Sequence, residues 1–145
     1  MAITTAMCNS FKQELLGGTH DLDTDTLKIA LIKESHTGTY GASTTNYSDV
    51  TGNSDEVTGT NYVAGGQTLD SASISLSSGT AFVDFDDETF SNVTVSADGA
   101  IIYNSSQGNK AIAVFDFGGT FTSTAGDFTV VFPTADASNA VIRIS

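Results

Sequence analysis

A chain of 145 residues accommodates one domain with a real hydrophobic core and is short for two, since domains run to about 100 to 150 residues. Hydrophobic residues make up 39% and charged residues only 15%, so Ser, Thr, Asn and Gly cover the surface; with aromatic residues at 9% and apolar runs throughout, this composition excludes intrinsic disorder. Seventeen acidic residues against five basic ones give a formal charge of -12, which repels nucleic acid and anionic lipid and excludes direct binding to either.

From Thr4 to Leu16 the apolar residues Met7, Cys8, Phe11 and Leu15 recur at three and four, the spacing of one helical face. Thr4 or Thr5 is the expected cap, and Gly17-Gly18 ends the helix because glycine takes the left-handed C′ conformation. This is the one convincing helix, confined to residues 1–18. The opening residues lack a basic region followed by a long apolar run, so no secretion signal is expected, and no apolar stretch approaches the roughly 18 residues of a membrane span. After Asp25 the period changes: Leu27, Ile29 and Leu31 alternate with Lys28, Ala30 and Ile32, which predicts a strand over 26–33. Residues 34–60 are rich in Thr, Ser, Asn, Asp and Gly and form an unusually long connection. They read either as a surface meander anchored by Tyr40, Tyr47 and Val57 or as an arm reaching a partner.

From Val63 onward strand signals follow in regular succession. Strands are expected at 69–76, 80–85, 90–95, 100–103, 111–117, 128–132 and 140–144. Turns are placed at Ser77-Ser78-Gly79, Ala97-Asp98-Gly99, Asn104 to Lys110 and Gly118-Gly119, and Pro133 marks an exit between strands. About eight short strands with no helix between them cannot make a parallel βαβ sheet. The predicted fold is all-β: a single domain, 1–145, built as an antiparallel β-sandwich over 26–144, jelly-roll-like, with one short N-terminal helix.

Few constellations suggest chemistry. Asp21, Asp23 and Asp25 could open a calcium loop, but its sixth position is Thr26 instead of glycine and its twelfth Ile32 instead of glutamate, so a solvated acidic turn is expected. Asp84, Asp86, Asp87 and Glu88 crowd another turn. Paired carboxylates do acid–base work only when their environments differ and converge on a cleft. Gly65-Gly66 and Gly118-Gly119 lack the spacing of a phosphate cradle, and no G-x-S-x-G elbow occurs. The single Cys8 shares an apolar helical face with Met7 and Phe11 and is expected to be a buried, quiet thiol; neither His20 nor His36 is marked as its partner. Asn46, Asn92 and Asn104 match the N-x-[ST] pattern and Asn9-Ser10-Phe11 does not, which in a Ser/Thr-rich chain reads as chance. No catalytic, cofactor-binding or metal-ligating residue is assigned, and neither a cofactor nor an enzymatic activity is expected.

The segments MAITTAMCNSFKQELLGGTHDL, TLKIALIKESHTGTYGASTTNYS, GTNYVAGGQTLDSASISL, GAIIYNSSQGNKAIAVFDFGG and FTVVFPTADASNAVIRIS together resemble a family of small virion structural proteins of tailed bacteriophages, particularly aquatic ones. The similarity spans essentially the whole chain and carries no catalytic signature. Within that class the size and all-β pattern resemble capsid decoration (cement) proteins, which stand on the outer shell and clamp neighbouring major capsid subunits. The resemblance therefore implies a non-enzymatic virion protein on the capsid surface, with the major capsid protein or copies of itself as partners. A tail or tail-fibre subunit is the alternative within the class. A carbohydrate- or calcium-dependent binding module is the alternative outside it.

Overall fold

A computed structural model describes residues 2–145. Two antiparallel sheets, of five and three strands, form a sandwich-like arrangement with one short helix near the N-terminus. The larger sheet has the order β1-β7-β6-β2-β3 and the smaller β4-β5-β8. The strands are β1 (Ala6–Met7), β2 (Leu27–Lys33), β3 (Gln67–Thr68), β4 (Ser73–Ser77), β5 (Thr80–Asp84), β6 (Glu88–Asn104), β7 (Lys110–Val130) and β8 (Ile142–Ile144).

Helix α1 (Asn9–Leu16) is shorter than the periodicity predicts. Residues 6–7 instead pair with Val114 and Ala113 of β7, and Cys8, without a capping side chain, takes the N-cap position. Pairing of 6–7 with β7 is a tertiary contact that overrides the local helical spacing. At the other end Gly18 is left-handed (φ 77°), and the Thr19 amide returns to the Glu14 carbonyl, as the glycine pair predicts.

β2 is central. Beyond the predicted apolar face of Leu27, Ile29 and Leu31, Ala30 and Ile32 are also fully buried, because layers cover both faces. One edge of β2 pairs with β6 along its whole length. The other pairs with β3 and then with residues 55–57, where the Lys33 amide donates to the Asp55 carbonyl and the Val57 amide to the Leu31 carbonyl.

Two expected turns are absent. Ala97-Asp98-Gly99 lies inside β6 and Gly118-Gly119 inside β7, so four predicted short strands merge into two long ones. The sites face each other: Ala97 pairs with Phe121 and Gly99 with Asp116, leaving one residue of β6 opposite four of β7. Glycine marks a bulge here, a bend in a continuing hairpin. The predicted reversals at 77–79 and 104–110 do occur, the first with Ser78 and Gly79 at positive φ, the second through a 3-10 turn (Ser105–Gln107).

The 34–60 segment is a self-packed meander, not a free arm. It contains a five-residue helix, α2 (Ser48–Gly52), which the sequence periodicity does not indicate. Tyr40, Val50 and Val57 are buried in the core, and Tyr47 stacks on Tyr103 at 4.4 Å between ring centroids. Backbone bonds tie Tyr40 to Ala2 and Thr4, Ala42 to Asn9, and Thr45 to Ala111.

Candidate functional site

Two carboxylates, the buried Asp55 and the half-buried Glu56, hold the meander in place. Asp55 is fully buried; it accepts from the Tyr40 hydroxyl (2.6 Å), the Gly38 amide (2.8 Å) and the Thr37 amide (3.0 Å), and the Lys33 ammonium lies 3.8 Å away. Burial alone would raise its pKa, but these bonds and the Lys33 charge outweigh burial and hold the carboxyl below its ordinary range. The neighbouring Glu56 accepts from the Tyr62 hydroxyl (2.9 Å), the Gly65 amide (2.7 Å) and the Tyr47 hydroxyl. Burial, with the Asp55 carboxylate second, pushes Tyr40 up to about 12, and burial followed by the Glu56 charge raises Tyr62. Both carboxylates thus tie the 34–60 meander to itself and to its flanks, Asp55 to Thr37, Gly38, Tyr40 and Lys33, and Glu56 to Tyr47, Tyr62 and Gly65.

The residues singled out in sequence are dispersed by the fold. Asp25 accepts from Asn104 Nδ2 (2.7 Å) and from the Asp21 amide (3.1 Å), so the D-x-D-x-D run closes the passage from helix to β2. Asn104 also meets His20 Nδ1 (3.0 Å), whose Nε2 faces Glu14 (3.3 Å); this buried cluster links α1 to the β6–β7 turn. Asp87 accepts the Phe132 amide. Glu88 is buried, and burial and then the Asp70 charge raise its pKa. His36 lies 3.5 Å from Asp98 of β6. Cys8 is completely buried, which pushes its thiol up to about 12, the opposite of what a nucleophilic thiolate needs. Among the described residues no group of three or more His, Cys, Asp and Glu is placed to hold a metal ion, and no helix is long and apolar enough to cross a membrane. Of the N-x-[ST] sites, Asn104 is buried in the cluster with His20, and the Asn46 side chain is engaged with the Gly108 carbonyl.

What the fold leaves unsatisfied is apolar and lies on strand edges. β1 covers β7 only at Ala113 and Val114, so beyond the bulge β7 has β6 on one side and, among the described residues, no strand on the other. Over this outer half Phe117 meets Phe121 edge-on (6.3 Å) and Phe128 at 6.0 Å, around an open hollow of about 380 Å³ that extends to Val130 and Val131. Phe121 is 54% exposed and Val131 71%. From Phe117 to Val131 only Asp127 is charged. In the small sheet, Ile74, Leu76 and Ile144 are also exposed. Sequence periodicity places Phe117, Phe128, Val131, Ile74, Leu76 and Ile144 in strands but leaves Phe121 outside them, because a turn is expected at Gly118-Gly119 where β7 in fact continues. It cannot show which of them stay exposed, because that follows from where β1 stops and which strands lie beside them.

No protein-family model matches the chain, and the comparisons with curated proteins and with solved structures likewise give no match.

Proposed function

We propose that the chain is a non-enzymatic structural subunit of a bacteriophage virion, seated on the outer face of the capsid as a decoration protein that stabilises the head. The observation that carries this reading is the outer half of β7, an open strand edge beside an aromatic hollow with a single charge in the vicinity. Open edges invite another chain to add a strand, with main-chain bonds giving affinity and side-chain pockets giving specificity. An extended segment of the major capsid protein fits there, its apolar side chains entering between Phe117, Phe121 and Phe128. The charge of -12 supports the outer side of the shell, since it is unfavourable against packaged genome and harmless toward solvent.

The test is binding of purified variants to capsids that lack the protein. Phe121→Asp places a charge in the hollow at an exposed position and is expected to lower occupancy by about tenfold or more, the effect of losing an interface anchor. Leu16→Asp, at a residue 91% exposed on α1, is expected to leave occupancy unchanged. Equal occupancy for Phe121→Asp and the unaltered protein would reject β7 as the attachment edge.

A further inference from the structure

The sheet edges of this molecule are not alike. β1 and β3 have two residues each, and β8 has three with Arg143 at its centre. Short length and a central cation are the usual protections against edge-to-edge pairing. β4 has neither. It is five residues long, every one exposed, free of charge, proline and bulge, and among the described residues only β5 lies beside it. The tight reversal at Ser78-Gly79, both at positive φ, fixes it against β5 in register from Ser77–Thr80 to Ser73–Asp84.

Two features of β4 specify the occupant. First, its sequence is Ser73-Ile74-Ser75-Leu76-Ser77, nearly the same read in either direction about Ser75. An antiparallel pair across a two-fold axis needs that self-complementarity, because residue i on one copy meets residue j on the other and the reverse. With the axis at Ser75, Ile74 falls opposite Leu76 of a second copy, Leu76 opposite Ile74, and serine opposite serine. Second, no charged residue occurs from Ser71 to Val83. Two copies each carrying -12 repel wherever their carboxylates face one another, so a contact between copies belongs at an uncharged window.

We propose that β4 is a homotypic docking edge, at which two copies of this chain pair antiparallel about Ser75 to join their small sheets into one sheet of six strands. On one face of each small sheet Ile74 sits opposite Val83 and Leu76 opposite Ala81, with Ile142 and Ile144 continuing the rows. A two-fold axis perpendicular to the sheet keeps this face on the same side in both copies. The exposed Ile74 and Leu76 of both then form one apolar stripe next to the hollow of about 310 Å³ between the small sheet and the end of α1. A five-residue strand pair is small beside the roughly 1,200 to 2,000 Å² of standard interfaces, so free copies associate weakly and copies held side by side associate strongly. This pairing uses a different edge from the β7 attachment and stands or falls separately from it.

Site-directed cross-linking of the full chain under a mild oxidant tests it. Ser75→Cys places two thiols directly opposite each other at the axis, where antiparallel Cα atoms lie about 4.5 to 5.5 Å apart, within disulfide reach. Ser73→Cys and Ser77→Cys, each alone, place their thiols apart, and the native Cys8 is buried. Ser75→Cys is expected to yield disulfide dimers at least about tenfold faster than either control. A mixture of the two controls is expected to yield the heterodimer, one Ser73→Cys chain joined to one Ser77→Cys chain, since positions 73 and 77 face each other across the axis. Adding Leu76→Glu to Ser75→Cys, at a residue 75% exposed where folding tolerates it, is expected to return the rate to that of the controls; an unchanged melting temperature verifies the fold. Dimer formation by Ser75→Cys no faster than by Ser73→Cys, or a rate indifferent to Leu76→Glu, overturns the proposal.

Discussion

Replacing Asp55 with alanine is expected to destabilise the protein by about 3 kcal/mol or more, because it strips the buried Tyr40 hydroxyl of its carboxylate acceptor and also releases the Gly38 and Thr37 amides and the Lys33 ion pair. Domains of this size hold about 5 to 15 kcal/mol in total, so the loss is a large fraction. The pH dependence has a definite sign. The carboxyl's folded pKa lies below its unfolded one, so its contribution is fully present above the ordinary carboxylate range and disappears as pH falls through the folded value, below about pH 4. Urea unfolding at neutral pH and at successively lower pH measures both effects. The native protein should lose stability toward acid more steeply than Asp55→Ala. A neutral-pH loss under about 1 kcal/mol, or parallel acid dependence in the two proteins, would show that the 34–60 meander is held by its apolar anchors alone.

The second large effect is expected at Gly66. Its φ is 75°, and a Cβ there would stand 1.8 Å from the Ile29 carbonyl oxygen and 2.8 Å from the Ala30 Cα. Both are backbone atoms of the central strand and cannot yield without displacing it. Gly66→Ala is therefore expected to cost about 3 kcal/mol or more, combining left-handed strain with overpacking. Gly65→Ala is the control. It also has positive φ (97°), but the nearest atoms to its Cβ are the Lys28 ammonium at 3.3 Å and the Tyr103 hydroxyl at 3.4 Å, side-chain ends that can shift, so a cost of about 1 to 2 kcal/mol is expected. Thermal or urea unfolding of the two variants decides it. Equal losses would mean that conformation alone, and not the approach to β2, governs this turn.

The glycine pair at 65–66 illustrates what the sequence does and does not carry. That it marks a turn is legible from its chemistry; that the second glycine is pressed against β2 depends on Gln67 and Thr68 pairing with Ile29 and Lys28, a contact made across about 40 residues of chain. Gly99 and Gly118-Gly119 show the same ambiguity in another form, since glycine serves reversals and bulges alike, and only the pairing of Ala97 with Phe121 and Gly99 with Asp116 distinguishes them. The alternation of Leu27, Ile29 and Leu31 is sufficient to place a strand with one apolar face and the apolar run at 100–103 to mark a central one, whereas the burial of Ala30 and Ile32 on the other face of β2 comes from a layer that alternation does not reveal. Tyr40, Tyr47 and Val57 were legible as anchors of the long loop. Asp55 and Glu56 were not, because an acidic pair in a polar stretch looks solvated until the tyrosines and amides that fold around it are known. The candidate site is legible only in part, as strand faces that include Phe117 and Phe128 and omit Phe121. Its openness arises from absent cover, to which no local pattern corresponds.

The proposed placement of this chain on the outer capsid is tested most directly by imaging mature virions at a resolution that traces the chain and counting its copies. The expected result is many copies repeated over the outer shell, each with the outer edge of β7 against the major capsid protein. A few copies confined to the tail, or none in the particle, would contradict it.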